Sequence, residues 1–375
     1  MQKFRYDFEI RPNTSIILNV LRVISCQMVV MGHGIAFMGI FLWLHEPNFP
    51  WIQNIAVVLF FLLSGVLITH TTLTRKKNPN YSFKNFFVDR FARIYSVYIP
   101  ILLFIVIIDA VTIYLLNGKD TNGSYNLKTF ILNIFMMQNF PGIYSLSKHF
   151  SFLSFLSFFI VPAFGSARIV WFLAIEWWIY MFVGWLLLGT VSIKNKVVYY
   201  LLLLALSLPP LCFCIFGVRV GIVWFGGALV VILLNARIKL GSPSMKLVLA
   251  VIFFAISFAR IIMVHSAYDV IFYVLISIAI YFLLDYTNTT KKKFPKKMKP
   301  VIDRLAAYSF TLFLMHYSIF VLLARFLDVV SPYLLFVIGF MVSNIAAYTL
   351  AYLVEMRYKK FRQFIYKKFK IKEYS

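Results

Sequence analysis

The chain has 375 residues, 62% of them hydrophobic and only 13% charged, with 41 phenylalanines and a formal net charge of +24. A soluble globular chain is roughly half apolar and about a quarter charged, so this composition excludes a water-soluble enzyme and describes an integral membrane protein. The surplus Lys and Arg sit in short segments between apolar runs, where they set topology and meet anionic headgroups. No nucleic-acid module accompanies them, so nucleic acid is not an expected partner.

In chain order, the first apolar run, Ser15 to Leu44, is too long for a signal peptide, carries Arg22 and His33 and lacks a small-residue cleavage site. It is a retained helix. Further runs give spans at about 14–40, 51–73, 94–116, 166–190, 197–216, 220–236, 247–264, 268–286, 306–326 and 333–355. Most reach the ~20 residues that cross ~30 Å of hydrocarbon. The stretch 129–165 is broken by Pro141, Gly142, Pro162 and Gly165, and its pieces read as re-entrant or interfacial. The expected fold is all-α, a polytopic helical bundle of about ten transmembrane helices.

Ten crossings put both chain ends on one side, together with twenty-nine of the 37 Lys and Arg; Lys119, Lys128, Lys148, Arg168 and Arg219 fall opposite. The positive-inside rule then makes both termini cytoplasmic, in a multi-pass protein of the cell membrane. The expected organisation is one transmembrane domain over 1–375. It comprises a cytoplasmic tail (1–13), a ten-helix core (14–356) and a basic cytoplasmic tail (357–375), with no appended soluble domain. In that last tail Phe361, Phe364, Ile365 and Phe369 recur at helical spacing among lysines, the pattern of an interfacial helix. Lys291–Lys299 is a low-complexity basic loop, read as an anchor. Cys26, Cys212 and Cys214 lie inside apolar runs with no metal-site spacing, and no metal is expected.

An ionisable group at mid-bilayer costs about 2.5–3.5 kcal/mol or more, so each needs a reason. Arg22 and His33 are eleven residues apart, which brings them to nearly one face of a helix, about 16 Å apart along its axis. Such a stripe faces a protein cavity; the bland alternative is a snorkelling arginine and a satisfied core histidine. Glu176 stands among tryptophans in the fourth span and needs a partner, for which Arg22, His33 and His316 are candidates. Ser82 can cap a helix with an apolar stripe of Phe83, Phe86, Phe87, Phe91 and Ile94. Arg90 and Arg93 project together from it, a guanidinium pair suited to phosphate, or simply to anchoring. His45, His70, His149 and His265 lie near span ends. Phosphate-loop, dinucleotide-binding, zinc-protease and serine-hydrolase motifs are absent from the sequence.

Together these segments resemble the acyltransferase-3 family of ten-helix membrane enzymes. The resemblance rests on Arg22 and His33 in LRVISCQMVVMGHG, on FFLLSG at Phe60–Gly65, and on the R-F-x-R-I-Y pattern at Arg90–Tyr95. Trp171–Glu176 (WFLAIE) and Ser309–His316 complete it. Two positions depart from the pattern: Asn19 stands where an Asp often precedes the arginine, and Ser96 where a Pro usually follows R-I-Y. The resemblance implies transfer of an acyl group, usually acetyl from acetyl-CoA, to a hydroxyl of a surface glycan or its lipid-linked precursor, within the bilayer. His33, Arg22 and Glu176 would be catalytic, with His316 or Trp171 orienting or meeting the acceptor. Arg90, Arg93, Arg22, Ser64 and Gly65 would hold the acyl-CoA. His33 would act as general base or carry the acyl group covalently, and the sequence leaves both routes open. The rival readings are a flippase or exporter of glycan intermediates, a lipid-acylating enzyme of the membrane-bound O-acyltransferase kind, and a structural subunit. The helices are mostly apolar, which favours a narrow site over the wide polar path of an exporter.

Overall fold

The computed structural model describes residues 5–44, 46–118, 123–138, 151–159, 161–193, 195–238, 241–292, 294–295 and 297–374. His45, Lys119, Pro141, Gly142, Lys148 and His149 lie outside them, as do Lys293 and Lys296 of the basic run. The helices are α1 (Pro12–Met38), α2 (Ile52–Arg75), α3 (Phe83–Ala110), α4 (Leu127–Ile134), α5 (Trp171–Ser192), α6 (Lys196–Ile215) and α7 (Val220–Ala236). They continue with α8 (Pro243–Val264), α9 (Val270–Thr289), α10 (Lys299–Ala307), α11 (Ser309–Leu323), α12 (Pro332–Leu353) and α13 (Tyr358–Lys368). Among the described residues there is no strand, only an isolated bridge between Gln138 and Val161. The protein is an all-α polytopic membrane bundle.

Nine helices among the described residues are long and apolar enough to cross a bilayer, and Val220–Ala236 is a shorter apolar helix. Their boundaries follow the apolar runs because lipid leaves no other partner for backbone N–H and C=O groups. The third helix differs from expectation. It begins at Phe83, where Ser82 caps it and its own N–H is accepted by Asn85 Oδ1 at 3.1 Å, and runs unbroken into the span. Arg90 and Arg93 are therefore carried on the spanning helix itself. Between residues 127 and 159 the described helical pieces are α4, eight residues, and a 3-10 stretch over Ser151–Phe159. Eight α-helical residues rise about 12 Å, well short of a crossing.

The chain divides into two compact units. The first holds Met1–Val29, Trp43–Pro79 and Val218–Ala306. Here α2 and α7 meet backbone to backbone. A Cβ on Gly65 would strike the Trp224 carbonyl oxygen, and one on Gly227 would strike that of Leu62. Small residues that let helices touch are how apolar helices associate without a hydrophobic driving force. Lys246 pairs with Asp285 at 2.9 Å between α8 and α9, which relieves two charges that lipid would reject. The outward faces of α8, with Ile252, Phe258 and Met263, are exposed and apolar, as lipid contact requires.

The second unit holds Val30–Leu42, Asn80–Gly217 and Ala307–Ser375. Its α3 is gripped near its start by the basic tail. Asp89 is 5% exposed and accepts from the hydroxyls of Tyr81, Tyr366 and Tyr374, with Arg362 Nη1 at 3.6 Å. Asn85 Nδ2 donates to the Lys372 carbonyl at 2.9 Å. A buried carboxylate needs such a set of donors, and they fix α13 against α3.

Candidate functional site

His33 lies in the second unit beside α11. Its ring centroid is 5.4 Å from that of His316 and 5.0 Å from that of Tyr317, the latter edge to face. The approach depends on Gly34, whose added Cβ would stand 2.7 Å from Phe320 and 2.9 Å from Phe336. His316 is fully buried, and its Nδ1 lies 2.9 Å from the Leu312 carbonyl. A carbonyl only accepts, so Nδ1 donates, and neutral His316 presents Nε2 as a bare acceptor. That Nε2 has no hydrogen-bond partner among the described residues. His33 is only half-buried. The pair thus joins one imidazole locked in a single tautomer to another on a residue that is less deeply buried.

A second element reaches the same place. The turn at 162–170 is tied at several points. Asn133 donates to the Pro162 carbonyl and accepts from Phe164 N, at 3.1 and 3.0 Å. Asp109 Oδ2 accepts from Ser166 N at 2.7 Å. Gln138 Nε2 donates to the Val170 carbonyl at 2.9 Å. Ser166 Oγ meets Ser318 Oγ at 2.6 Å, two residues after His316. Gly165 has φ +50°, and a Cβ there would run into Asp109 Oδ2, so the turn requires glycine. This scaffold presents Arg168, exposed and an electrostatic neighbour of His33 together with His316. It also starts α5, which carries half-buried Trp171 and Glu176, 7% exposed.

Asp109 and Tyr317 escaped the sequence reading, and Arg168 entered it only as a topology-setting cation. Asp109 carried a usable signal, an acid inside an apolar run. Arg168 carried a weaker one, a cation at a helix N-terminus, where the macrodipole disfavours it.

Arg90 and Arg93 share the turn of α3 that faces the tail. The Arg90 guanidinium lies 5.5 Å from the Phe86 ring centroid, and that of Arg93 4.9 Å from Tyr358. Arg93 Nη2 donates to Glu355 Oε1 at 2.8 Å. The other carboxylate oxygen accepts from Thr311 N and Oγ1 at 3.1 and 2.7 Å, in the first turn of α11. Arg93 is therefore partly committed to a strut between α3 and the helix of His316. A guanidinium has five N–H donors, so this bond leaves capacity for a phosphate.

The other candidates belong to the first unit. Arg22 is half-buried on α1. One turn before it, Asn19 Nδ2 donates to Asp303 Oδ1 at 3.0 Å. Asp303, on α10, is held below the usual carboxylate range first by its hydrogen bond from Lys299 and then by that from Asn19. The chain thus has a carboxylate beside position 19, supplied from another helix. Ser64 Oγ accepts from Trp224 Nε1 at 3.2 Å, and Gly65 sits at the α2–α7 contact. The FFLLSG segment accordingly has a packing reason of its own.

No curated protein and no solved structure matches the chain. The model of the acyltransferase-3 family, described as an acyltransferase domain, matches residues 16–354. That range takes in His33, His316, Arg90, Arg93, Arg168 and Glu176 and ends one residue before Glu355, and the chain belongs to this family of membrane acyltransferases.

Proposed function

We propose that the protein transfers an acetyl group from cytoplasmic acetyl-CoA to a hydroxyl of a cell-surface or lipid-linked polysaccharide, in the cell membrane with both termini cytoplasmic. The observation that carries the reading is the pairing of His33 with a tautomer-locked His316. An acyl transfer needs one group to take the acceptor's proton and another to hold that group in register. His33 accepts the hydroxyl proton while the oxygen attacks the thioester carbonyl. A C–O bond forms, the C–S bond breaks, and the proton passes to the departing CoA thiolate. In the two-step alternative His33 itself takes the acetyl group and yields it to the hydroxyl.

The donor's phosphates suit Arg90 and the remaining donors of Arg93, and the family resemblance adds Arg22 to the residues assigned to the donor. Glu176 and His316 orient His33, and Trp171 borders the acceptor. The resemblance assigns Ser64 and Gly65 to donor binding as well. Mass spectrometry of surface glycans from a deletion strain and its parent tests the reading. Loss of acetyl esters, restored by the wild-type gene and not by His33→Ala, is the expected result. Identical glycans in both strains would sink it.

A further inference from the structure

Between α3 and α13 runs an apolar groove of about 740 Å³, within the usual size of a small-ligand site. Its walls are Phe87 and Phe91 on one helix and Phe361 and Phe364 on the other. Lys84 and Lys368 stand at its rim, and among its described lining residues none is acidic. The groove is built rather than incidental. The Asp89 cluster and the Asn85–Lys372 bond hold α13 in place, and Phe87 stacks on Phe91 at 5.8 Å. Its floor also leads on toward the chemistry: Phe91 stacks on Tyr95 at 4.4 Å, and Trp177, next to Glu176, packs against both Phe87 and Tyr95.

The charge pattern names the occupant. Any lipid tail can lie against phenylalanines, but a cationic rim prefers one kind of headgroup. The helix YKKFRQFIYKK has five cations and no acid, and Asp89 beneath it is satisfied by its own donors. A zwitterionic headgroup sets its own ammonium beside its phosphate and so competes with Lys84 and Lys368, whereas a phosphate diester with net negative charge pairs with them without that competitor. We propose that this groove is a specific site for an anionic phospholipid, one acyl chain lying along the phenylalanines and the headgroup between Lys84 and Lys368. The lipid then braces the segment of α3 that carries Arg90 and Arg93.

The test places the full chain in phosphatidylcholine nanodiscs doped, at equal mole fraction, with phosphatidylglycerol or phosphatidylcholine bearing a photoreactive acyl chain. Adducts are mapped by peptide mass spectrometry. At 83–91 and 361–371 phosphatidylglycerol should label roughly fivefold more than phosphatidylcholine, as expected for about one well-placed lysine or more. Lys84→Gln with Lys368→Gln should erase the difference, while labelling along α8 stays equal for both lipids and reports an intact fold. Should that double variant misfold, high salt on the wild type replaces it, and the preference should narrow. Equal labelling by the two lipids, a preference untouched by the lysine changes or by salt, or displacement by palmitoyl-CoA but not by unlabelled phosphatidylglycerol would each overturn the proposal.

Discussion

Glu355 binds Arg93 through one oxygen, at 2.8 Å, and caps the first turn of the His316 helix through the other. The carboxylate is fully buried while the arginine side chain is 31% exposed. A negative charge at a helix N-terminus is favourable in itself, so Glu355 serves two elements at once. Movement of Arg93 toward a phosphate would be felt at the start of α11.

Glu355→Gln should therefore destabilise the protein more than a surface change. Breaking a buried ion pair costs about 3–5 kcal/mol, and the partial exposure of Arg93 reduces this to roughly 2 kcal/mol. Thermal unfolding in detergent checks it; an unchanged midpoint would mean that the strut carries no load.

Arg90→Lys and Arg93→Lys keep the charge and lose the planar fork. Both should weaken acetyl-CoA binding, and Arg93→Lys should also lower the unfolding midpoint. Titration calorimetry together with the melting curve separates the two roles. A lower midpoint with unaltered donor affinity would leave Arg93 as a strut alone.

His33→Ala should abolish transfer without loss of folded protein, since one imidazole contributes little to a bundle of this size. His316→Phe keeps a ring and removes the bare acceptor, and should slow transfer on the order of 10²-fold. Radiolabelled acetyl transfer in proteoliposomes measures both. A His33→Ala enzyme near the wild-type rate would remove His33 from the chemistry.

Arg168→Gln should lower transfer at least about tenfold, with the melting curve unmoved, because the turn that presents it is held by other residues. Ser166→Ala, which loses the bond to Ser318, should instead show a smaller rate loss together with lower stability, about 1 kcal/mol for one buried hydrogen bond. If Arg168→Gln is silent in the transfer assay, its nearness to His33 is without consequence for the reaction.

On a cysteine-free background, Asn48→Cys and Asn122→Cys, the latter outside the described residues, should react with an impermeant thiol reagent in intact cells. Lys76→Cys and Lys291→Cys should react only after the membrane is opened. Both lysines are exposed, whereas Asn288 is tied to Arg11 N and Thr14 and would report its own loosening. External labelling of Lys291→Cys would mean that the segment 129–165 crosses the membrane once.

The crossings were legible because hydrophobic length is a one-dimensional property, and α1 to α3, α5 to α9, α11 and α12 each contain or overlap an apolar run. The start of α3 was harder. Phe83 to Arg93 is amphipathic while the continuation is apolar all round, so one helix looked like two. His33 and His316 were both visible as ionisable groups in apolar runs, yet their contact depends on Gly34 and Phe320, and no spacing rule reports tertiary contact. Glu355 closed an apolar run and passed as its boundary; only its three hydrogen bonds reveal a buried carboxylate. Ser64 and Gly65 entered the sequence reading only through the family resemblance, as donor-holding residues, and their contact with Trp224 and its helix is a tertiary relation that no spacing rule reports.

The grip on Asp89 has a consequence for biosynthesis. Its acceptor oxygens wait for Tyr366 and Tyr374, 277 and 285 positions further along. Until that stretch leaves the ribosome, α3 sits in the membrane with its acid short of two of the three tyrosine donors, Tyr81 alone being already made. The arginine-bearing segment should then remain loose, and a ribosome stalled before residue 362 should display a chain whose other crossings are inserted but whose Asn80–Arg93 region is open to protease. The last of the basic tail to be synthesised thus acts as the latch that completes one of the first helices to be made.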